Sequence, residues 1–144
     1  MFTRLYIKTN YSLLSSLISI DKLIEHCINK KVKSIAICDD NMMGVMHFYK
    51  ECIKNNIKPI IGLDVDYNNN HILLYAKDYD GYKDLIKLST ISSERKIDID
   101  DLKKCNKSLV TILPYTYLNI YNEIKNIYED LYIGYSNIKE ENEA

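Results

Sequence analysis

Short apolar runs alternate with helix-like patterns along most of this chain, and this alternation limits the fold more than any other feature. Apolar residues that recur at helical spacing over 20–30 are typical of an amphipathic helix. The run at 34–38 has no polar interruption after its first residue, which is typical of a strand covered on both faces. Strands are predicted at 5–7, 34–38, 58–65, 71–76, 108–113 and 131–135, and helices at 20–30, 45–54, around 85–88 and at 117–128. The order β-α-β-α-β-β-α-β-α-β predicts an α/β fold with a mostly parallel sheet or barrel.

Local signals refine these elements. Ser19 is placed to cap the first helix, and Asp78 or Asp80 to cap the third. In the second helix, helical spacing predicts a buried stripe of Met46, Tyr49 and Ile53. The polar turn at 66–70 predicts a hairpin.

Composition excludes several classes of protein. The chain has 144 residues, of which 47% are hydrophobic and 27% charged, and this predicts one folded domain over 1–144. A net charge of -1 argues against a dedicated nucleic-acid or anionic-membrane binder. No apolar run reaches the roughly 20 residues of a membrane span, and the first residues lack a signal-peptide core. The four cysteines form no C-x-x-C pair, which predicts reduced thiols in a cytoplasmic protein.

Polar residues follow three of the predicted strands. The run at 8–12 follows the first strand, Asp39 and Asp40 come directly after the second, and Asp64 lies at the end of the third. Ligands of parallel α/β folds bind at the carboxyl ends of strands, and carboxylates that converge there suit a divalent metal ion. The alternative is that Asp39 or Asp40 simply caps the following turn. His71 is predicted to be a turn residue beside an Asn run, and that run is attributed to the codon bias of an AT-rich genome.

No catalytic residue is predicted. The sequence has no Ser/His/Asp or Cys/His arrangement that could be argued, since Ser12 has no evident base partner. The four glycines are far apart and form no phosphate-binding loop. No residue is assigned to nucleic-acid binding.

Four blocks of sequence carry a family resemblance, in the order 11–14, 36–50, 57–62 and 81–88. Together they resemble the N-terminal PHP (polymerase and histidinol phosphatase) domain of bacterial DNA polymerase III alpha subunits. The likeness is greatest to the shorter subunits of low-GC Gram-positive bacteria and their wall-less relatives. The resemblance implies a PHP-type distorted, seven-stranded β/α barrel. With six predicted strands, the chain is expected to be an incomplete, N-terminal portion of it, without the palm, thumb and fingers of the polymerase.

The resemblance also implies a degenerate metal site. The family holds up to three metal ions with His, Asp and Glu, and its first motif, His-x-His, falls here on Tyr6 and Lys8. Neither side chain replaces an imidazole ligand, and the Lys ammonium would repel a cation. Asp39, Asp40 and Asp64 fall on the second and third motifs as residual ligands. We therefore expect no cofactor beyond a residual Zn or Mn ion.

The resemblance finally implies a function in DNA replication, as a non-catalytic PHP module of a DNA-directed DNA polymerase, a nucleotidyltransferase. The expected partners are the remaining polymerase domains and other replisome subunits. DNA would be reached only through the full-length protein, and no membrane partner is expected. Two alternatives are a stand-alone PHP phosphoesterase acting on small phosphate esters and a free binding module from a truncated gene.

Overall fold

The structure is a computed structural model that describes residues 2–135. It is a mixed α/β fold with a five-stranded sheet, which agrees with the predicted α/β class, but the sheet combines parallel and antiparallel pairs and is not mostly parallel as predicted. The helices are α1 Ile20–Asn29, α2 Val45–Lys54, α3 Tyr79–Glu94, α4 Ile99–Lys104 and α5 Tyr121–Ile124, with a 3₁₀ helix at Tyr115–Ile120. The strands are β1 Ser34–Asp39, β2 Lys58–Tyr67, β3 Asn70–Ala76, β4 Leu109–Pro114 and β5 Asp130–Gly134, and the sheet order is β1-β2-β3-β4-β5. The seven-stranded barrel stays a prediction.

The chain forms two compact units, which divide between Leu63 and Asp64. In the first unit, β1 pairs in parallel with the beginning of β2, from Ser34 opposite Lys58 to Asp39 opposite Leu63. Residues 35–39 are all buried, as predicted for a strand covered on both faces. The helices α1 and α2 contact each other in this unit.

The second unit contains the end of β2 and the remaining elements. Its strand β3 pairs antiparallel with β4, which pairs in parallel with β5, and α3 packs against β3. Its most buried apolar side chains are Val65, Ile72, Leu74, Leu85, Leu88, Leu102, Leu113 and Ile124. The predicted end of the domain at residue 144 lies outside the described residues, and a single domain over 1–144 stays a prediction.

The predicted positions of α1 and α2 and two predicted caps are confirmed. The side chain of Ser19 accepts a hydrogen bond from the Lys22 backbone amide at the start of α1. Asp78 is the cap of α3, where its carboxylate accepts from the amides of Asp80 and Gly81. Within residues 2–135, no helix combines the length and the apolar character needed to cross a membrane.

The predicted buried stripe of α2 is wrong. Val45, Phe48 and Cys52 are the buried residues, whereas Met46, Tyr49 and Ile53 are between 45% and 54% exposed. The helix carries two apolar stripes with the same spacing, so periodicity could not distinguish which of them faces the core.

Three further predictions differ from the structure. Residues 5–7 form no regular strand, although the amides of Ala36 and Cys38 donate to the carbonyls of Arg4 and Ile7. The predicted helix over 117–128 is instead a 3₁₀ helix followed by the single turn of α5. The helix α4 was not predicted because its short, polar sequence has no apolar stripe.

The hairpin between β2 and β3 has a two-residue loop, Asn68 and Asn69, with φ of 51° and 61°. Positive φ at both loop positions matches the right-handed twist of paired strands, and Asn adopts it more readily than most residues. The attribution of this Asn run to codon bias therefore missed its structural role.

Candidate functional site

Asp39, the last residue of β1, has a carboxylate that is surrounded by hydrogen-bond donors. The residue is only 1% exposed. Its Oδ1 accepts from the Thr9 amide at 2.6 Å and from the Ser12 hydroxyl at 2.7 Å, and its Oδ2 accepts from the Thr9 hydroxyl at 2.7 Å. These bonds hold residues 9–12 against the end of β1. The strand thus positions the carboxylate, and the carboxylate positions the preceding loop.

Asp40 points outward from the same strand end and is exposed. Its backbone amide donates to the Ser12 hydroxyl at 3.2 Å, and its carboxylate accepts from the Asn41 side-chain amide at 2.8 Å. The cap of the following turn is Asn41, whose side-chain oxygen accepts from the Met43 amide at 3.0 Å. The alternative that Asp39 or Asp40 caps this turn is therefore wrong.

Asp64, in the second unit, forms a pair with a histidine. Nδ1 of His71 lies 2.7 Å from Oδ1 of Asp64, and the carboxylate side chain is 1% exposed whereas the imidazole is 40% exposed. The His71 ring also lies 5.4 Å from the ring of Tyr117, measured between centroids. His71 belongs to β3, so its prediction as a turn residue is wrong.

The pairing of Asp64 with His71 had a signal in the sequence. A two-residue hairpin loop at 68–69 places residue 66 opposite residue 71. Residue 64 is then a diagonal neighbour of residue 71 on the same face, within reach of a long side chain. The Asn68-Asn69 loop therefore predicts the register in which residues 64 and 71 are neighbours.

Tyr6 and Lys8 lie on the extended segment that runs beside β1. Tyr6 is 56% exposed. Neither side chain carries the imidazole or carboxylate that a hard or borderline metal ion prefers.

The residues present do not fit a metal cluster. Within residues 2–135, no three or more His, Cys, Asp or Glu side chains are grouped so that they could hold a metal ion. Both oxygens of Asp39 already accept hydrogen bonds from Thr9 or Ser12. A metal ligand needs a lone pair directed at the ion, and here three of the roughly four lone-pair sites of the carboxylate are directed at N–H and O–H groups.

The cysteines do not supply a nucleophile either. All four are buried free thiols, as the sequence predicted for the reduced state. Burial raises the pKa of the Cys27 and Cys105 thiols above the usual value, and it raises that of Cys52 to about 12. A thiol reacts as its thiolate, so burial makes Cys27, Cys52 and Cys105 poor nucleophiles at neutral pH.

The fold is that of an α/β module with acidic residues, Asp39 and Asp40, at the end of a buried strand. A model of the PHP domain family matches residues 5–141. The chain therefore belongs to the PHP domain family, as the sequence blocks predicted.

Similar proteins are found among DNA polymerase III alpha subunits. The chain is 40% identical over 103 residues to that of Ureaplasma parvum serovar 3, with 70% of the chain and 11% of the relative covered. It is 40% identical over 106 residues to that of Mycoplasma genitalium, with 71% and 12% covered. For Streptococcus pyogenes serotype M3, the identity is 35% over 119 residues, with 79% and 12% covered. The chain thus spans only 11–12% of the length of these relatives.

Proposed function

We propose that this chain is a PHP module that acts in DNA replication together with a polymerase of the DNA polymerase III alpha type, as a structural and interaction element. The similarity to alpha subunits from three bacteria supports the link to replication. Its partners are then the polymerase domains that this chain does not contain and other replisome subunits. A cytoplasmic location follows from this role.

The observation that carries the non-catalytic part of the proposal is the hydrogen bonding of Asp39. Three donors from Thr9 and Ser12 satisfy a carboxylate that falls on one of the family's metal motifs. By the resemblance to the family, Tyr6 and Lys8 fall on the positions of its paired histidines. A two-metal phosphoesterase needs most of its metal ligands and the groups that orient them. Without the paired histidines, the Asp39 carboxylate keeps only its role in stabilising the fold.

Metal content tests this proposal directly. The purified 144-residue chain is incubated with zinc and manganese, desalted and analysed by mass spectrometry for bound metal. We expect well below one ion per chain, with no difference between the wild type and Asp64→Asn. Two or more ions per chain, or turnover of a generic phosphodiester that Asp39→Ala abolishes, would establish the phosphoesterase alternative instead.

The replication partnership needs a separate experiment. A DNA polymerase III alpha subunit truncated to remove its matching PHP segment is mixed with this chain, and co-elution is measured by size-exclusion chromatography. We expect a complex with the truncated subunit and none with the intact subunit, whose own PHP segment competes. Absence of a complex with either subunit would contradict the partnership and leave the metal result unaffected.

A further inference from the structure

Three leucine side chains of the loop that precedes α1 lie almost entirely in water. Leu13, Leu14 and Leu17 are each more than 80% exposed. Single exposed apolar residues are common on protein surfaces, but three of this size in one short loop form a concentrated apolar patch. Such a patch gains free energy when a partner removes it from water.

The backbone of this loop is held in place by hydrogen bonds. The Asn10 amide donates to the Ile18 carbonyl at 2.8 Å, and this bond closes the loop. Thr9, through its amide and its hydroxyl, and Ser12, through its hydroxyl, donate to the buried Asp39 carboxylate. The leucines are therefore carried by an ordered backbone, which reduces the conformational entropy that a partner must remove on binding.

The conformation of Leu14 is costly for the isolated chain. Its φ is 63°, in the left-handed region where a bulky side chain is rarely found. The strain gains nothing inside the fold, because the side chain that it positions packs against no core. Backbone strain that the isolated fold does not use indicates a function for the side chain that it displays.

The loop also packs against the turn before α2. A Cβ atom at Gly44 would lie 2.6 Å from the ring of Tyr11, so the ring sits directly over this glycine. The side-chain amide of Asn41 donates to the Tyr11 carbonyl at 2.8 Å. Met43, in the same turn, is exposed as well. The loop and this turn are therefore neighbouring parts of one surface of the first unit.

The chemistry of the loop selects the kind of partner. Nucleic acids and anionic membranes are bound through Lys and Arg side chains, and the stretch at 9–20 contains no charged residue. The complement of three leucines is an uncharged, apolar groove in a protein. The matched stretch makes up only 11–12% of the length of the alpha-subunit relatives, so most of such a protein lies outside it and can supply the groove.

We propose that the loop at 9–18 docks this chain on a polymerase of the DNA polymerase III alpha type. Leu13, Leu14 and Leu17 enter an apolar groove that lies outside the PHP segment of that polymerase. The inference rests on the proposed function and adds to it the surface and the contact chemistry. Asp39 acquires a part in docking, since its hydrogen bonds hold the loop that carries the leucines.

Titration calorimetry with an alpha subunit that lacks its matching PHP segment tests this proposal. We expect Leu13→Ser, Leu14→Ser and Leu17→Ser each to raise the Kd about tenfold, and the triple variant to abolish binding. Raising the salt concentration from about 0.1 to about 1 M should leave the wild-type Kd nearly unchanged, because salt screens charges and the contact is apolar.

Ile28→Ser is the matched control, since it removes a half-exposed apolar side chain of α1 outside the loop. It should bind like the wild type. Circular dichroism checks that each variant is folded, and Leu→Ala substitutions replace any Leu→Ser variant that is not. Equal losses from Ile28→Ser and the loop variants would overturn the proposal, as would a Kd that rises steeply with salt.

The outcomes separate this inference from the proposed function. A complex that the triple variant retains contradicts the loop alone, whereas the absence of any complex with the wild-type chain contradicts the proposed function and the loop together. Vesicles of phosphatidylcholine with phosphatidylglycerol, and sedimentation velocity of the chain alone, test two other occupants. Vesicle binding or self-association that the triple variant loses would assign the loop to a membrane or to a second copy and overturn the proposal.

Discussion

At the scale of single residues, Asp39 shows how a carboxylate at a strand end can be structural. It is buried, and it accepts three hydrogen bonds from Thr9 and Ser12. Burial of a charge is costly unless hydrogen bonds compensate for lost water. The bonds to Thr9 and Ser12 provide that compensation, and they fix the loop that follows the extended N-terminal segment.

Asp39→Asn is expected to lower the free energy of unfolding by about 3 kcal/mol. The amide has nearly the same shape, but its NH₂ group would face donors where the carboxylate has acceptors. Urea unfolding followed by circular dichroism measures the change. Asp40→Asn, at the exposed neighbouring position, should change stability by less than about 0.5 kcal/mol. Equal effects of the two substitutions would contradict the structural role of Asp39.

The hairpin loop between β2 and β3 also depends on single residues. Asn68 and Asn69 both have positive φ, where a Cβ atom crowds the following carbonyl and only Gly is free of strain. The amide of Asn69 also donates to the Asp66 carboxylate at 2.9 Å. The loop therefore combines a left-handed backbone conformation with a hydrogen bond to the Asp66 carboxylate.

Asn69→Gly is expected to keep or slightly raise the melting temperature, whereas Asn69→Ala should destabilise the chain by about 1 kcal/mol. Both substitutions leave the backbone amide in place, so the comparison isolates the cost of a Cβ at positive φ. Thermal unfolding by circular dichroism measures both variants. An Ala variant as stable as the Gly variant would show that the loop adopts another conformation.

At the scale of elements, the helix α4 forms through its caps. Asp98 and Asp101 make a reciprocal capping box, in which each side chain accepts from the other residue's backbone amide. The Arg95 guanidinium binds the Asp101 carboxylate through two hydrogen bonds of 2.6 and 2.7 Å. These bonds, led by the two from Arg95, lower the pKa of Asp101 from its ordinary 3.8 to about 2.

This pKa predicts an acid-sensitive contribution from Asp101. Because the pKa is lower in the folded chain, the contribution is complete above the unfolded value of 3.8 and is lost as the pH falls towards 2. Asp101→Asn should therefore be less stable than the wild type at pH 7, and the difference should shrink below pH 4. Urea unfolding across this range measures it. Asp100→Asn, at an exposed position of the same helix, should show no such convergence.

At the scale of the whole molecule, the first unit carries several exposed apolar side chains. Leu13, Leu14 and Leu17 are each more than 80% exposed, and Tyr49 and Ile53 are about half exposed on α2. Isolated apolar residues are normal on a surface, but a helical stripe of them favours association. This feature agrees with the proposed role as an interaction module.

We expect the isolated chain to self-associate as its concentration rises, and the double substitution of Tyr49→Lys with Ile53→Lys to weaken that association. Sedimentation velocity measures the distribution of species. Both side chains are outside the core, so the free energy of unfolding should change by less than about 1 kcal/mol. A chain that remains monomeric at all concentrations, or association that the double variant leaves unchanged, would contradict a role of the α2 stripe.

The sequence by itself determined the α/β class, the positions of α1, α2 and all five strands, two helix caps and the family. These features depend on local periodicity, on turn and cap chemistry and on blocks of neighbouring residues, all of which are present in a short stretch of chain. The helix α4 is a local feature too, and its Asp98 and Asp101 capping box could have been recognised.

Only the tertiary structure decided which stripe of α2 is buried and that Asp39 receives its hydrogen bonds from Thr9 and Ser12. The hydrogen bonds of Asp39 join residues that are far apart along the chain. The two stripes of α2 have the same periodicity, so only packing distinguishes them. A carboxylate at a strand end has the same sequence signature whether it binds a metal ion or N–H and O–H groups. Which of the two it binds depends on the groups that folding brings to it.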